Sequence, residues 1–158
     1  MIELQEKTDI WTLHGAGGWI VVPTNGYVKR NGEAVMGRGL AFQCSKKFPV
    51  MPKLLGERLK DKGNHVNRFP EPLRIYTFPV KHYWEDRAEL GLILRSLREI
   101  ALMAYEPDVK IYMPRVGCGN GTLKWATVRP LVALLDNRFI VVDINEPLAL
   151  AKTVKETR

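Results

Sequence analysis

Two glycine-rich stretches carry the residue types that hold phosphate. The first runs from Asn25-Gly26 to Met36-Gly37-Arg38-Gly39, and the second is Gly117-Cys118-Gly119-Asn120-Gly121. Glycine puts no Cβ in the way of an anion, so backbone N–H groups can point at it, and the start of a following helix adds partial positive charge. One such loop alone is read more simply as a turn or a close-packing point. Two of them, each after an apolar strand and before a helix, favour a diphosphate cradle at the carboxyl edge of a sheet. Neither has the GxxxxGK[ST] order of a triphosphate loop or the GxGxxG spacing of a dinucleotide fold. Triphosphate hydrolysis and hydride transfer therefore lose support.

The other reactive residue types are scattered. His14, His65 and His82 stand apart, with no second imidazole or carboxylate at ligand spacing, so no metal centre is expected. Cys44 and Cys118 form no CxxC pair and no His/Cys cluster, which predicts reduced thiols without redox chemistry. Cys118 reads as a small filler, since no base stands near it in sequence.

The elements that must position the loops alternate between strand and helix. Ile2 to Leu4 and Gly18 to Pro23 read as strands, the second β-branched and buried. From Gly39, Leu40, Cys44 and Phe48 recur at four-residue spacing, which predicts a helix opening directly after the first loop. A second, more polar helix is predicted from Met51 to Lys62, ended by Gly63, followed by a strand from Leu73 to Phe78. The clearest helix spans Ala88 to Ala104, with Leu90, Ile93, Leu94, Leu97, Ile100, Ala101 and Ala104 on its apolar face. A strand from Val109 to Met113 leads into the second loop; a helix from Trp125 to Asn137 and a strand from Phe139 to Asp143 follow. This order predicts an α/β sandwich around a largely parallel sheet. Residues 147–158 read as a terminal helix or a frayed tail.

The chain has 158 residues, and its 24 Lys+Arg against 17 Asp+Glu give a net charge of +7. That length fits one domain with a real core. The charge favours polyanionic partners without requiring a dedicated groove. No apolar run reaches the ~18 residues of a membrane span, and acids precede any apolar stretch at the start, so a cytoplasmic protein without membrane contact is expected.

Several of these segments carry a family resemblance. Pro23-Thr24-Asn25, Val35 to Gln43, Lys46 to Pro49, Phe78 to Trp84, and Met113 to Gly119 with Leu123-Lys124-Trp125 together resemble a macrodomain. Within that family the sequence is most similar to the DarG-type branch, antitoxin hydrolases that remove ADP-ribose from DNA. Next come the terminal ADP-ribose protein glycohydrolases. The resemblance implies a three-layer α/β/α sandwich with a mixed, largely parallel sheet, as one macrodomain over residues 1–158, its core in 1–145 and a helix or tail in 146–158.

The resemblance also assigns roles. Asp9, followed by Ile10, stands where the family accepts a hydrogen bond from the adenine amino group, although Thr8 replaces the usual preceding glycine. Read alone, Asp9 is equally a helix or turn cap. Asn25 falls at the distal ribose, with Thr24 before it among the ADP-ribose-binding residues; Asn25 read alone is a turn-former before Gly26. Met36, Gly37, Arg38, Gly39 and Leu40 match the first ADP-ribose loop, and Val116, Gly117, Cys118, Gly119, Asn120 and Gly121 the second. Lys81, at a predicted strand end, matches the catalytic lysine of both branches, with Asn25 beside it in the catalytic set. A lysine amine can hydrogen-bond the departing group or, with its pKa lowered, attack the sugar as a neutral nucleophile. Tyr83 and Trp84 are candidates to shield it. His82 reads as a bystander and Trp125 as a packing anchor.

Two departures from the family pattern stand out. The protein-directed relatives place an aspartate where this chain has Gly121, which points toward the DNA-directed branch. The stretch Tyr27 to Glu33 lengthens the first loop and carries Lys29 and Arg30; it either reaches a nucleic-acid backbone, covers the site, or is a plain solvated loop. The sequence is therefore read as an ADP-ribosyl glycohydrolase without cofactor or metal, acting as a monomer on an acceptor taken to be a DNA base. Single-stranded DNA and a toxin are its candidate partners. The alternatives are an ADP-ribose reader without turnover, an ADP-ribose 1''-phosphate phosphatase, and a basic nucleic-acid-binding protein with no ligand pocket.

Overall fold

The computed structural model describes residues 1–144. The segment read as a terminal helix or tail lies outside the described residues. Six strands form one sheet: β1 (Ile2–Glu3), β2 (Trp19–Thr24), β3 (Asn67–Phe69), β4 (Ile75–Pro79), β5 (Ile111–Met113) and β6 (Phe139–Val141). Their order across the sheet is β1-β6-β5-β2-β4-β3. Every pairing is parallel except that of β3 with β4, so the sheet is mixed and largely parallel, as expected.

Alternation along the strands builds two cores, one on each face. Trp19 and Val21 of β2 join Tyr76 and Phe78 of β4 under α4 (Leu90–Met103) and α5 (Trp125–Val132). Ile20, Val22 and Ile75 point the other way, into a cluster with α1 (Ile10–Gly15), α2 (Gly39–Lys47) and α3 (Met51–Lys62). Helices thus cover both faces, in three layers.

Several expectations need correction. The six-residue α1 and the three-residue β3 are too short to leave a periodic signal in the sequence. The strand expected from Leu73 starts at Ile75, because Leu73 N–H bonds back to the Pro70 carbonyl and Arg74 takes the left-handed φ of 52°. The buried stripe of α4 is Leu92, Ile93, Ser96, Leu97 and Ile100; Leu90 and Ala101, placed on the apolar face, are exposed. The helix expected to reach Asn137 ends at Val132, two residues after Pro130, and its chain continues through turns closed by Ala133, Leu134 and Leu135 N–H groups.

Candidate active site

β5, β2 and β4 are neighbours in the sheet and parallel, so the segments that follow them leave on the same edge. Asn25 follows β2, Lys81 follows β4, and the second glycine loop follows β5. Beyond β6, Thr8 bridges Ile144 and its N–H bonds to the Asp143 carbonyl, which brings Asp9 to the same edge. Residues from four separate parts of the chain therefore share one rim.

The two glycine loops meet there. Gly39 opens α2 with φ of 56°, and a Cβ built on it would stand 3.1 Å from the Asn120 side-chain Nδ2. No side chain caps the start of α2, where Arg38 is the N-cap. Gly37, Arg38, Gly39, Gly119 and Asn120 are exposed, whereas Met36, Leu40 and Val116 are buried beneath them. The arrangement offers backbone donors on a packed apolar floor.

The second loop is tightly wound. Cys118 N–H bonds to the Arg115 carbonyl and Leu123 N–H to the Gly117 carbonyl, with Gly117 at φ of 75°. Burial pushes the Cys118 thiol up to about 11, so it is protonated and its S–H is turned to the Val116 carbonyl. A Cβ on Gly121 would lie 2.6 Å from the Gly117 oxygen and 2.7 Å from Ala88 Cβ. Its carbonyl also accepts from Ala88 N–H. An aspartate at this position is excluded by packing in this loop conformation, not merely absent.

Asn25 is buried with both ends of its amide engaged: Nδ2 donates to the Val35 carbonyl and Oδ1 accepts from Tyr27 N–H at 2.9 Å. One N–H and one lone pair of that amide stay free for a ligand. Asp9 is the N-cap of α1, its two oxygens accepting from Trp11 N–H and Thr12 Oγ1. The turn and cap roles are thus present in the fold, beside whatever each residue does for a ligand.

Lys81 is half-buried. Burial first and the Arg38 cation second hold its ammonium below the usual lysine range, and the Asp86 carboxylate opposes them. The segment is fastened at several points: Val80 N–H bonds to the Thr24 carbonyl, Gly26 N–H to the His82 carbonyl, and Glu89 N–H to the Val80 carbonyl. Asn64 Nδ2 donates to the Lys81 carbonyl and meets His82 Nδ1. A Cβ on Gly26 would stand 2.8 Å from the Asn64 side chain, so a larger residue there would displace that amide from the Lys81 carbonyl. Asn64 and Asp86 carry no signal in the sequence: Asn64 belongs to no motif, and an acid five residues past a lysine is unremarkable.

The inserted stretch folds as a hairpin. Val28 bridges Ala34, Lys29 N–H bonds to the Glu33 carbonyl, and Gly32 packs its carbonyl against Gly56 of α3. Its tip therefore rests on α3. Lys29 is paired with Glu33 at 3.7 Å, while Arg30 is exposed.

His14 is buried against the Leu73 carbonyl, and its pKa is lowered by burial. His65 pairs with Glu99 across 34 residues of sequence, a carboxylate partner that local spacing did not reveal. Trp125 donates its indole N–H to Glu3. Among the described residues no group of three or more His, Cys, Asp or Glu side chains is placed to hold a metal ion, and no helix is long and apolar enough to cross a membrane. Two open depressions elsewhere, one by Tyr105 and Arg138 and one by Arg58 and Leu102, contain none of the rim residues.

No family model matches the chain. It is 26% identical over 108 residues to a DNA ADP-ribosyl glycohydrolase of Thermus aquaticus, an alignment covering 63% of this chain and 30% of that protein. The macrodomain of Mycobacterium tuberculosis DarG superposes with a TM-score of 0.70 at 23% identity, over 89% of this chain and 97% of that one. Thermosipho africanus DarTG in complex with ADP-ribose superposes with a TM-score of 0.65 at 22% identity, over 84% of this chain and 40% of that one. The chain spans 30% to 38% of the length of the curated relatives it matches. By fold it is a macrodomain. Macrodomains of the DarG type are among those it resembles, in line with the resemblance carried by the motifs around Asn25, Lys81 and Gly117.

Proposed function

We propose that this macrodomain is an ADP-ribosyl glycohydrolase that removes ADP-ribose from a DNA base. The observation that carries the reading is the convergence on one rim of two touching glycine loops and a lysine with a depressed pKa. In this reading the loops hold the diphosphate, Asp9 meets the adenine amino group, and Asn25 orients the distal ribose with the free half of its amide.

The reaction breaks the bond between the anomeric carbon of that ribose and the acceptor atom. Water supplies the new oxygen, and the acceptor leaves with the proton. A protonated Lys81 stabilises the departing acceptor by hydrogen bonding. A neutral Lys81 instead attacks the anomeric carbon, forming an adduct that water then resolves. The steric closure of the Gly121 position supports a mechanism that does not depend on a carboxylate from the second loop. The activity that would supply the substrate is a transferase attaching ADP-ribose to DNA, the toxin of an antitoxin pair.

A second reading, the ADP-ribose reader, is favoured by one observation: the Asn25 amide is half committed to its own loop. The test is release of free ADP-ribose from ADP-ribosylated single-stranded DNA and, in parallel, from ADP-ribosylated protein, by wild type and Lys81→Ala. Release from DNA alone, lost in the variant, supports the hydrolase. Binding of ADP-ribose with no release from either substrate leaves the reader.

A further inference from the structure

Three aromatic side chains gather at the surface beside Lys81 with no core to fill. Tyr27 and Tyr83 are 41% and 37% exposed. Their ring centroids lie 5.1 Å apart at 89°, an edge-to-face pair. Trp84 packs on Tyr83 at 5.5 Å and 36°. The cluster joins the two loops that bear Asn25 and Lys81. Tyr27 N–H is held by the Asn25 side chain, and the Gly26 N–H to His82 carbonyl bond staples the loops at the base of the rings. The rings therefore pack on one another on loops that are already stapled together.

We infer that Tyr27, Tyr83 and Trp84 form a stacking platform for bases of single-stranded DNA next to the bond that is cut. The inference rests on the hydrolase reading for where the acceptor emerges. Tyr83 is two residues past Lys81, a span of at most ~7 Å of chain. The rings therefore sit on the segment that carries the proposed catalytic lysine, where an attached base or its neighbour emerges in the hydrolase reading. A base joined to ADP-ribose cannot enter this rim while stacked in a duplex, and an unstacked base needs a replacement for its lost neighbours. Exposed aromatic faces supply it, independent of sequence.

The segments that carry the rings bear mixed charge: Lys29, Arg30, Arg38 and Arg87 against Glu33, Glu85 and Asp86, with Lys29 paired to Glu33. Tyr83 hydroxyl also reaches Glu85 at 3.4 Å. Local charge is therefore a weak attractor for phosphates, and the flat rings are the feature that selects the ligand. The net charge of +7 helps the encounter from a distance.

The test measures binding of a short fluorescently labelled, unmodified single-stranded oligonucleotide by anisotropy, for wild type, Tyr27→Ala, Tyr83→Ala and Tyr83→Phe. ADP-ribose affinity, read by calorimetry in the same samples, shows that each variant is folded. Both alanine variants should bind the strand about tenfold more weakly, within the range of one lost base–aromatic stack. Tyr83→Phe should stay close to wild type, with ADP-ribose affinity unchanged throughout. Undiminished strand binding in the alanine variants, or no strand binding by wild type, overturns the platform. Equal affinity for the matching duplex overturns it too. Wild-type release of ADP-ribose from DNA persisting in both alanine variants would sink the platform and spare the hydrolase. Ring-dependent strand binding without any release from DNA would do the reverse.

Discussion

The side-chain amide of Asn120 lies against Gly39, so close that a methyl group on Gly39 would stand 3.1 Å from its Nδ2. These residues are 81 positions apart, and their contact joins two separate glycine loops into one rim. Gly39→Ala forces a side chain into the left-handed region at φ of 56°, a cost of ~1–2 kcal/mol, and displaces the Asn120 amide from its place against the loop. Denaturant unfolding should show that loss, and calorimetry should show ADP-ribose affinity falling with it. Asn120→Ala, at an exposed position, should leave stability unchanged and weaken ADP-ribose binding alone. Full affinity in Gly39→Ala would remove the loops from the diphosphate site.

The amine of Lys81 is shifted by named neighbours, so its titration can be moved. Burial and Arg38 lower its pKa and Asp86 raises it. Removing the cation with Arg38→Ala should raise the pKa; removing the anion with Asp86→Asn should lower it further. If the neutral amine reacts, activity rises with pH through this pKa; if the ammonium donates, activity falls through it. In either case the limb of the pH–rate profile moves up in the first variant and down in the second. A profile that ignores both substitutions excludes Lys81 as the titrating group.

Gly121→Asp installs the acid of the protein-directed relatives where there is no room for its Cβ. The Gly117 carbonyl and Ala88 obstruct it at 2.6 and 2.7 Å. The expected outcome is a destabilisation of ~1–3 kcal/mol or more, as for overpacking in a core, with no gain of release from ADP-ribosylated protein. Thermal melting and the parallel release assay check both. A stable, protein-active variant would show that the loop opens more readily than its packing indicates.

Asp9 combines a cap with a proposed contact to adenine, and two substitutions separate them. Asp9→Ala removes the cap of α1 and should cost ~1 kcal/mol of stability. Asp9→Asn keeps an oxygen for the Trp11 N–H and should leave stability intact. Weakening the charge-assisted bond should still lower ADP-ribose affinity about fivefold. Unchanged affinity in Asp9→Asn would reduce Asp9 to its capping role.

The amino-acid sequence determined the class of architecture, because strand and helix periodicities and the glycine loops between them are local patterns. β2, β4, α2, α3 and α4 could all be placed from spacing and flanking glycines, and the ordered motifs from Pro23 to Trp125 carried the macrodomain resemblance. Short elements escaped, since α1 and β3 contain too few residues to show a period. Only the tertiary structure decided which loops touch. Parallel β5, β2 and β4 send three distant segments to one edge, and this alone sets Asp86 and Arg38 to act on Lys81, Asn64 beneath it, and Tyr27 against Tyr83. It also decided that Gly121 has no space for an acid, because that space is taken by Ala88 and the Gly117 carbonyl, neighbours that no local pattern in the chain announces.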